Sequence, residues 1–157
     1  MFNLFHAIEF SAVGQTIKTS PWIFAVTESI HLLALAVIGG AVLVLDLRML
    51  GLGLKRQRIP DLAFDTQRVL VSSLAVMLLT GVILFMSEAV KCYYSTPFRV
   101  KMASLALAIL FTFTVRRRVT RAEDGRISPL AYRAVALVSL TLWFTVGAAG
   151  RWIGFSG

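Results

Sequence analysis

Polar residues along the chain fall in short clusters, and four long apolar stretches run between them, at about 21–47, 69–90, 98–115 and 130–153. A helix needs about 20 mostly apolar residues to cross the hydrocarbon core of a bilayer. Each stretch meets that length, 98–115 being the shortest. Ser20 before Pro21 reads as an N-cap followed by a first-turn proline. Lys101 stands near the start of the third stretch, where its long stem can carry the amine to the interface. The segment 2–18 is too short and too polar to span. Its Leu4, Phe5, Ile8 and Ala12 recur at helical spacing, with Asn3 and Glu9 elsewhere on the wheel and Gly14 weakening its end. That pattern predicts a helix lying on the membrane surface. The expected architecture is all-α. It is a single transmembrane domain over 1–157, a four-transmembrane-helix bundle with a short N-terminal interfacial amphipathic helix. The loops of a soluble bundle would not separate four charge-poor runs of this size. The start of the chain lacks the basic residues and continuous apolar run of a cleaved signal peptide, so it is expected to stay in the mature protein.

Composition strengthens this reading. Only 15% of residues are charged and 57% are hydrophobic, whereas a soluble domain carries roughly 25% charged residues. The net charge is +8, and its placement matters more than its size. Eleven of the sixteen Lys and Arg residues lie in or beside two loops, 48–68 and 116–129. They are Arg48, Lys55, Arg56, Arg58 and Arg68 in the first, and Arg116, Arg117, Arg118, Arg121 and Arg126 in the second, with Arg133 just beyond. Basic loops stay in the cytoplasm, so both termini are expected on the outer, periplasmic side of a bacterial inner membrane. Trp22, Tyr93, Tyr94 and Trp152 fall where an aromatic belt belongs. The expected partners are anionic lipids at the basic loops and a homo-oligomer or larger membrane complex, with no nucleic acid.

In lipid the helices satisfy their own backbones, so side chains carry the functional information. Ionisable groups inside spans face a bundle interior or a wet cavity. On the first span Glu28, His31, Leu35, Gly39, Val42 and Asp46 form one stripe, with Asp46 placed to be neutralised by Arg48 and the basic loop. The second presents Ser73, Met77, Thr80, Leu84, Ser87 and Lys91, with Glu88 adjacent. The third presents Lys101, Ser104, Ala108 and Thr112. The fourth brings Ser139, Trp143 and Gly150 near one face, and its run Gly147 to Gly150 suits close helix contact. The outer half thus collects Glu28, His31, Glu88 and Lys101, with Arg151 at the rim and Thr80, Ser87 and Ser104 as the surrounding polar groups. The bland readings are a locked Glu28–His31 pair that orients the bundle, and hydroxyls that bond back to their own helices.

The order Glu28-x-x-His31, Gly39, Asp46-Leu47-Arg48, then Arg68, Thr80-Gly81 and Phe98-x-x-Lys101 resembles a bacterial four-helix membrane family of unknown function. That resemblance implies a fold and a location. A first-helix histidine, a glycine in the second helix and a lysine opening the third are also similar to the four-helix, haem-binding membrane protoporphyrinogen oxidases. The copper-resistance membrane proteins of the D type share the plan. Carried over, His31 matches the haem-ligand histidine and Lys101 the essential lysine, while Glu28 stands where those oxidases often carry a basic residue.

Three functions compete at this point. One is a redox or electron-transfer protein binding haem b, with His31 as the iron ligand and Lys101 or Arg151 meeting a propionate or a quinone headgroup. The second is an accessory or scaffold subunit of a membrane complex. The third is a small proton-linked transporter acting as an oligomer. Five scattered methionines, two histidines and one cysteine, Cys92, offer no soft-metal cluster. No Gly-x-Ser-x-Gly or Ser-His-Asp arrangement points to hydrolysis.

Overall fold

The computed structural model describes residues 2–53, 56–122 and 127–153. Lys55 and Arg126, and the side chains of Asn3 and Leu4, lie outside the described residues. Two short helices, α1 (Phe2–Glu9) and α2 (Ala12–Thr19), lead into the long α3 (Pro21–Leu50). Then come α4 (Ile59–Ser87), the short α5 (Ala89–Tyr94) and α6 (Thr96–Phe111). A π-helical turn, Thr112–Arg116, joins α6 without a break to α7 (Arg117–Arg121), and α8 (Pro129–Ile153) completes the bundle. Four rods are long and apolar enough to cross a membrane: Pro21–Leu50, Ile59–Ser87, Thr96–Arg121 and Pro129–Ile153. The chain is a multi-pass membrane protein by this architecture. One end of the bundle carries α1, α2, α5 and the last turn of α8, here called the terminus end; the other carries the described arginines of the two connections.

The rods pack α3 on α4, α3 on α8 and α6 on α8, and α7 closes against α4 at the arginine end. A central core joins Ile38, Val42, Leu74, Met77, Ala108, Trp143 and Val146. A second core at the arginine end joins Leu45, Met49, Leu62, Tyr132 and Ala136. Large apolar side chains also cover the outside, among them Leu33, Leu79, Val82, Leu110 and Phe144. A helix that is apolar all round belongs in lipid.

The spans differ from their sequence expectation at their ends. The second begins at Ile59, ten residues before Val69, because Pro60 suits a first turn and Leu62 and Ala63 bury against Met49. The third runs on to Arg121, through three consecutive arginines, because one of them finds a buried carboxylate. The helix α3 stops at Gly51, whose φ of +80° is left-handed. The expected single interfacial helix is two, broken at Phe10–Ser11 and restarted by the Ser11 hydroxyl, which accepts from the Gly14 amide at 3.2 Å. Gly14 does more than weaken a helix end. A Cβ there would stand 2.6 Å from the Glu9 carbonyl and 2.7 Å from the Met86 carbonyl, so only glycine lets α2 pass this close to α1 and α4.

Candidate functional site

Two polar clusters occupy the bundle interior, one in each half. His31 and Asp46 mark them, and they stand about 22 Å apart along α3 by the helical rise.

In the terminus half, His31 is 7% exposed. Its Nδ1 lies 3.0 Å from Thr80 Oγ1. Thr80 has one hydroxyl proton, and that proton goes to the Val76 carbonyl at 2.7 Å, so its oxygen is left to accept. The Met77 carbonyl, a second neighbour of the ring, can only accept. We assign the proton of the neutral imidazole to Nδ1 and the lone pair to Nε2, the tautomer in which Thr80 keeps its bond to Val76. Gly81 provides the floor: a Cβ there would be 3.2 Å from His31 Cε1. The Thr80-Gly81 pair thus has two jobs, to hold the ring and to make room for it.

Lys101 enters the same half from α6. Ser95 caps that helix by accepting from the Phe98 amide at 3.3 Å, and Phe98 stacks on Phe85 with ring centroids 5.7 Å apart. One turn later Lys101 turns inward, with its Nζ 3.6 Å from where a Cβ of Gly150 would be. His31 and Cys92 are its titratable neighbours. Among the described residues no carboxylate pairs with this ammonium; the ion pairs there are Lys18–Glu9 and Arg116–Asp46. All four rods therefore contribute to this half, through His31, Thr80 and Gly81, Lys101, and Gly150.

The other expected site residues do not join them. Glu28 is exposed on the flank of α3 while His31 is buried, so the pair is split. The buried face of α3 runs through His31, Ala34, Ile38, Val42, Leu45 and Asp46, turned away from Glu28 and Gly39. Ser87 donates to the Leu84 carbonyl at 2.8 Å, and Ser104 to the Val100 carbonyl at 2.7 Å; both are back-bonded to their own helices. Glu88 stands where α4 gives way to α5 and acts on Cys92. Burial first, and then the Glu88 charge, push the Cys92 thiol up to about 11. Arg151 is exposed at the rim of a groove between α3 and α8. His6 is exposed and stacks on Phe10, 4.2 Å between centroids. Among the described residues, no three His, Cys, Asp or Glu side chains gather in one place.

The two N-terminal helices are fastened over this end by Glu9, which is 5% exposed. Lys18 donates to one carboxylate oxygen, and the Val90 amide in the first turn of α5 donates to the other at 2.7 Å. Burial works to raise the Glu9 carboxyl, but these two bonds outweigh it and hold the group below the ordinary carboxylate range. Phe5 adds edge contacts to Phe85 and Tyr93 at 5.6 and 5.2 Å.

In the arginine half, Asp46 is fully buried and takes a 3.1 Å bond from Arg116 Nε. Arg116 Nη2 donates to the Val42 carbonyl at 3.3 Å, and the Arg116 carbonyl accepts from Thr120 at 2.9 Å. The Ser139 hydroxyl faces the same carboxylate, but among the described residues neither Ser139 Oγ nor Asp46 Oδ2 has a hydrogen-bond partner. Trp143 Nε1 donates to Thr112 Oγ1 at 3.2 Å. A cavity of about 30 Å³ lies beside Thr66, Gln67, Thr112 and Arg116, room for a water molecule. Asp46 is thus neutralised by Arg116 and not by Arg48, which donates to the Gln57 carbonyl at 2.8 Å. The sequence carried a signal for this: Ser104, Ala108, Thr112, Arg116 and Thr120 follow one another at every fourth position.

No curated protein and no solved structure matches this chain. One family model does, over residues 4–156, and with nearly the whole chain covered the protein belongs to that family, a family of unknown function (DUF6644).

Proposed function

We propose that the terminus half of the bundle binds a small molecule bearing an acidic group, with Lys101 as its counter-charge. The observation that carries this reading is the ammonium without a carboxylate. A cation inside a span is costly and is normally paired, and here the four rods place Lys101 against Gly150 and His31, with no acidic side chain beside it among the described residues. An anionic ligand would complete it. Solvent extraction of the purified protein, followed by mass spectrometry, tests the idea. Wild type should release an acid-bearing compound in amounts close to one per chain, and Lys101→Met should release less than a tenth of that. Equal release from both would overturn the proposal.

A second, sharper reading is favoured by the His31 tautomer. An imidazole with Nδ1–H fixed by a second group and Nε2 left with its lone pair is the form that ligates a metal. Haem b would use both residues, iron at His31 Nε2 and a propionate at Lys101, and would supply one-electron chemistry when bound. The donor set fits such a group. The protein's own contribution is to fix the ring through Thr80 and Gly81, and to neutralise the carboxylate in a setting of low dielectric. An absorption spectrum of protein made with ample haem decides this. A Soret band that His31→Ala removes supports it, and a colourless, folded wild type rejects it. In that case the extracted acid is a different compound, or the chain is an accessory subunit.

The orientation is part of the same proposal. With the arginine end in the cytoplasm of a bacterial inner membrane, the site opens on the periplasmic side. Alkaline phosphatase fused after Gly157 should then be active, and an inactive fusion would reverse the topology.

A further inference from the structure

At the arginine end, where α7 lies against α4, the cavity beside Arg116 opens as a cleft between the two rods. Thr66 and Gln67 line it on α4, and Arg116 and Arg117 on the facing rod. About one turn closer to the middle of the bundle, Leu70 and Phe113 line it instead. Arg116 is 5% exposed, and its bonds to Asp46 and to the Val42 carbonyl occupy two of its five N–H groups. It therefore keeps donors for a further acceptor. Arg121 Nη2 donates to Gln67 Oε1 at 3.4 Å, which leaves the Gln67 amide nitrogen to donate as well. Arg117 and Arg121 are exposed, and among the described residues no carboxylate pairs with either. The acidic residues of α4 are turned away. Asp61 and Asp65 are exposed and stand about 160° round the helix from the stripe of Ala63, Thr66, Gln67 and Leu70 that lines the cleft.

We infer that this cleft binds one anionic phospholipid. A phosphate oxygen enters beside Arg116 and Gln67, Arg117 and Arg121 supply the counter-charge, and an acyl chain lies against Leu70 and Phe113. The cavity of about 30 Å³ has room for one such oxygen. Guanidinium groups suit phosphate because their forked donors match its oxygens. Depth selects a lipid over a free anion. The 29-residue α4 is about 43 Å long by the helical rise, against a hydrocarbon core of about 30 Å, so its ends reach the headgroups. Polar groups at the rod ends with apolar ones a turn deeper repeat the order of groups within a phospholipid. A zwitterionic lipid would bring its own cation toward two arginines that have no carboxylate. Basic loops attract anionic lipid diffusely; the cleft adds a fixed stoichiometry and a fixed place. The inference is independent of what the interior site binds.

The test titrates full-length protein, stripped of lipid in detergent, with phosphatidylglycerol, and counts bound lipids by native mass spectrometry. Wild type should saturate first at one lipid per chain. Phosphatidylcholine with the same acyl chains should bind about tenfold more weakly or worse. Arg117→Gln combined with Arg121→Gln should weaken phosphatidylglycerol binding by a similar factor, about tenfold. Both residues are exposed and the Asp46–Arg116 pair stays intact, so the fold is not at risk. Arg56→Gln with Arg118→Gln removes the same charge from exposed positions outside the cleft, and should bind as wild type does. The lipid is identified by its own mass and should be retained in Lys101→Met, which keeps it apart from the smaller interior ligand. Equal weakening in the two double variants overturns the inference, since it would show charge without a site. Equal binding of the two lipids also overturns it, and so does displacement of phosphatidylglycerol by inorganic phosphate, which would mark a site for a free anion.

Discussion

Asp46 and Arg116 are buried out of reach of bulk solvent, and each depends on the other. Removing one partner of a buried pair leaves an uncompensated charge and costs about 3–5 kcal/mol, while replacing both by apolar groups is often close to neutral. Arg116→Met should therefore destabilise the protein by about that amount, and Asp46→Leu combined with Arg116→Met should recover most of the loss. Cys92 is a convenient reporter for these measurements. Its thiol is buried and held near 11, so a maleimide at pH 8 should leave the native protein unlabelled and react only as it unfolds. Rapid labelling of native protein would contradict the position of α5. The raised thiol also has a sign: between the ordinary thiol value of 9.0 and about 11 the folded state keeps a proton that the unfolded state has lost, so stability falls as pH rises through that window. Lys101 stands opposite to Arg116 in character, since it has no carboxylate to lose among the described residues. Lys101→Met should raise the thermal midpoint of ligand-free protein while removing the ligand, the trade expected of a functional residue.

At the scale of elements, the third rod shows why part of the arginine cluster was hard to read. A step of four residues overshoots a full α-helical turn by about 40°, so the series from Ser104 to Thr120 would drift off its face in a regular helix. The π turn at Thr112–Arg116 adds a residue and brings Arg116 and Thr120 back to the interior. Three arginines in succession look like the end of a span, and only the register shows that the first of them faces a carboxylate 70 positions away. The faces of the second and third rods were legible: Ser73, Met77, Thr80 and Ser87 are buried, as are Ser104, Ala108 and Thr112. On α3 the expected stripe is right at His31, Val42 and Asp46, which are buried, and wrong at Glu28 and Gly39, which are exposed, because the helix is apolar nearly all round and gives the stripe little contrast. The N-terminal clasp was not legible at all, because a glutamate on an amphipathic segment normally faces water and no local pattern announces that Val90 will cover it. The sign of its pH dependence follows from its lowered carboxyl. The clasp is present above the unfolded carboxylate value and is lost as pH falls through the lower folded one. Proteolysis of α1 and α2 should accelerate in that acid range, and Glu9→Gln should show the faster cleavage already at pH 7. Cleavage of Glu9→Gln at the wild-type rate would contradict the clasp.

The whole molecule is a bundle whose charges are sorted by depth. A closed ion pair fixes the arginine half, with a cavity for water beside it. The terminus half is held by the contact of His31 with Thr80, and there Lys101 has no carboxylate beside it among the described residues, beneath a fastened pair of surface helices. The first arrangement is a structural lock, and the second is the one we propose as the site of an acidic ligand. Native mass spectrometry of the protein released from mild detergent separates the two directly. We expect a small acidic adduct on wild type, at one per chain above the 17.3 kDa polypeptide, retained in Arg99→Gln and absent in Lys101→Met. A wild type at the bare polypeptide mass, or an adduct that survives Lys101→Met unchanged, would contradict it.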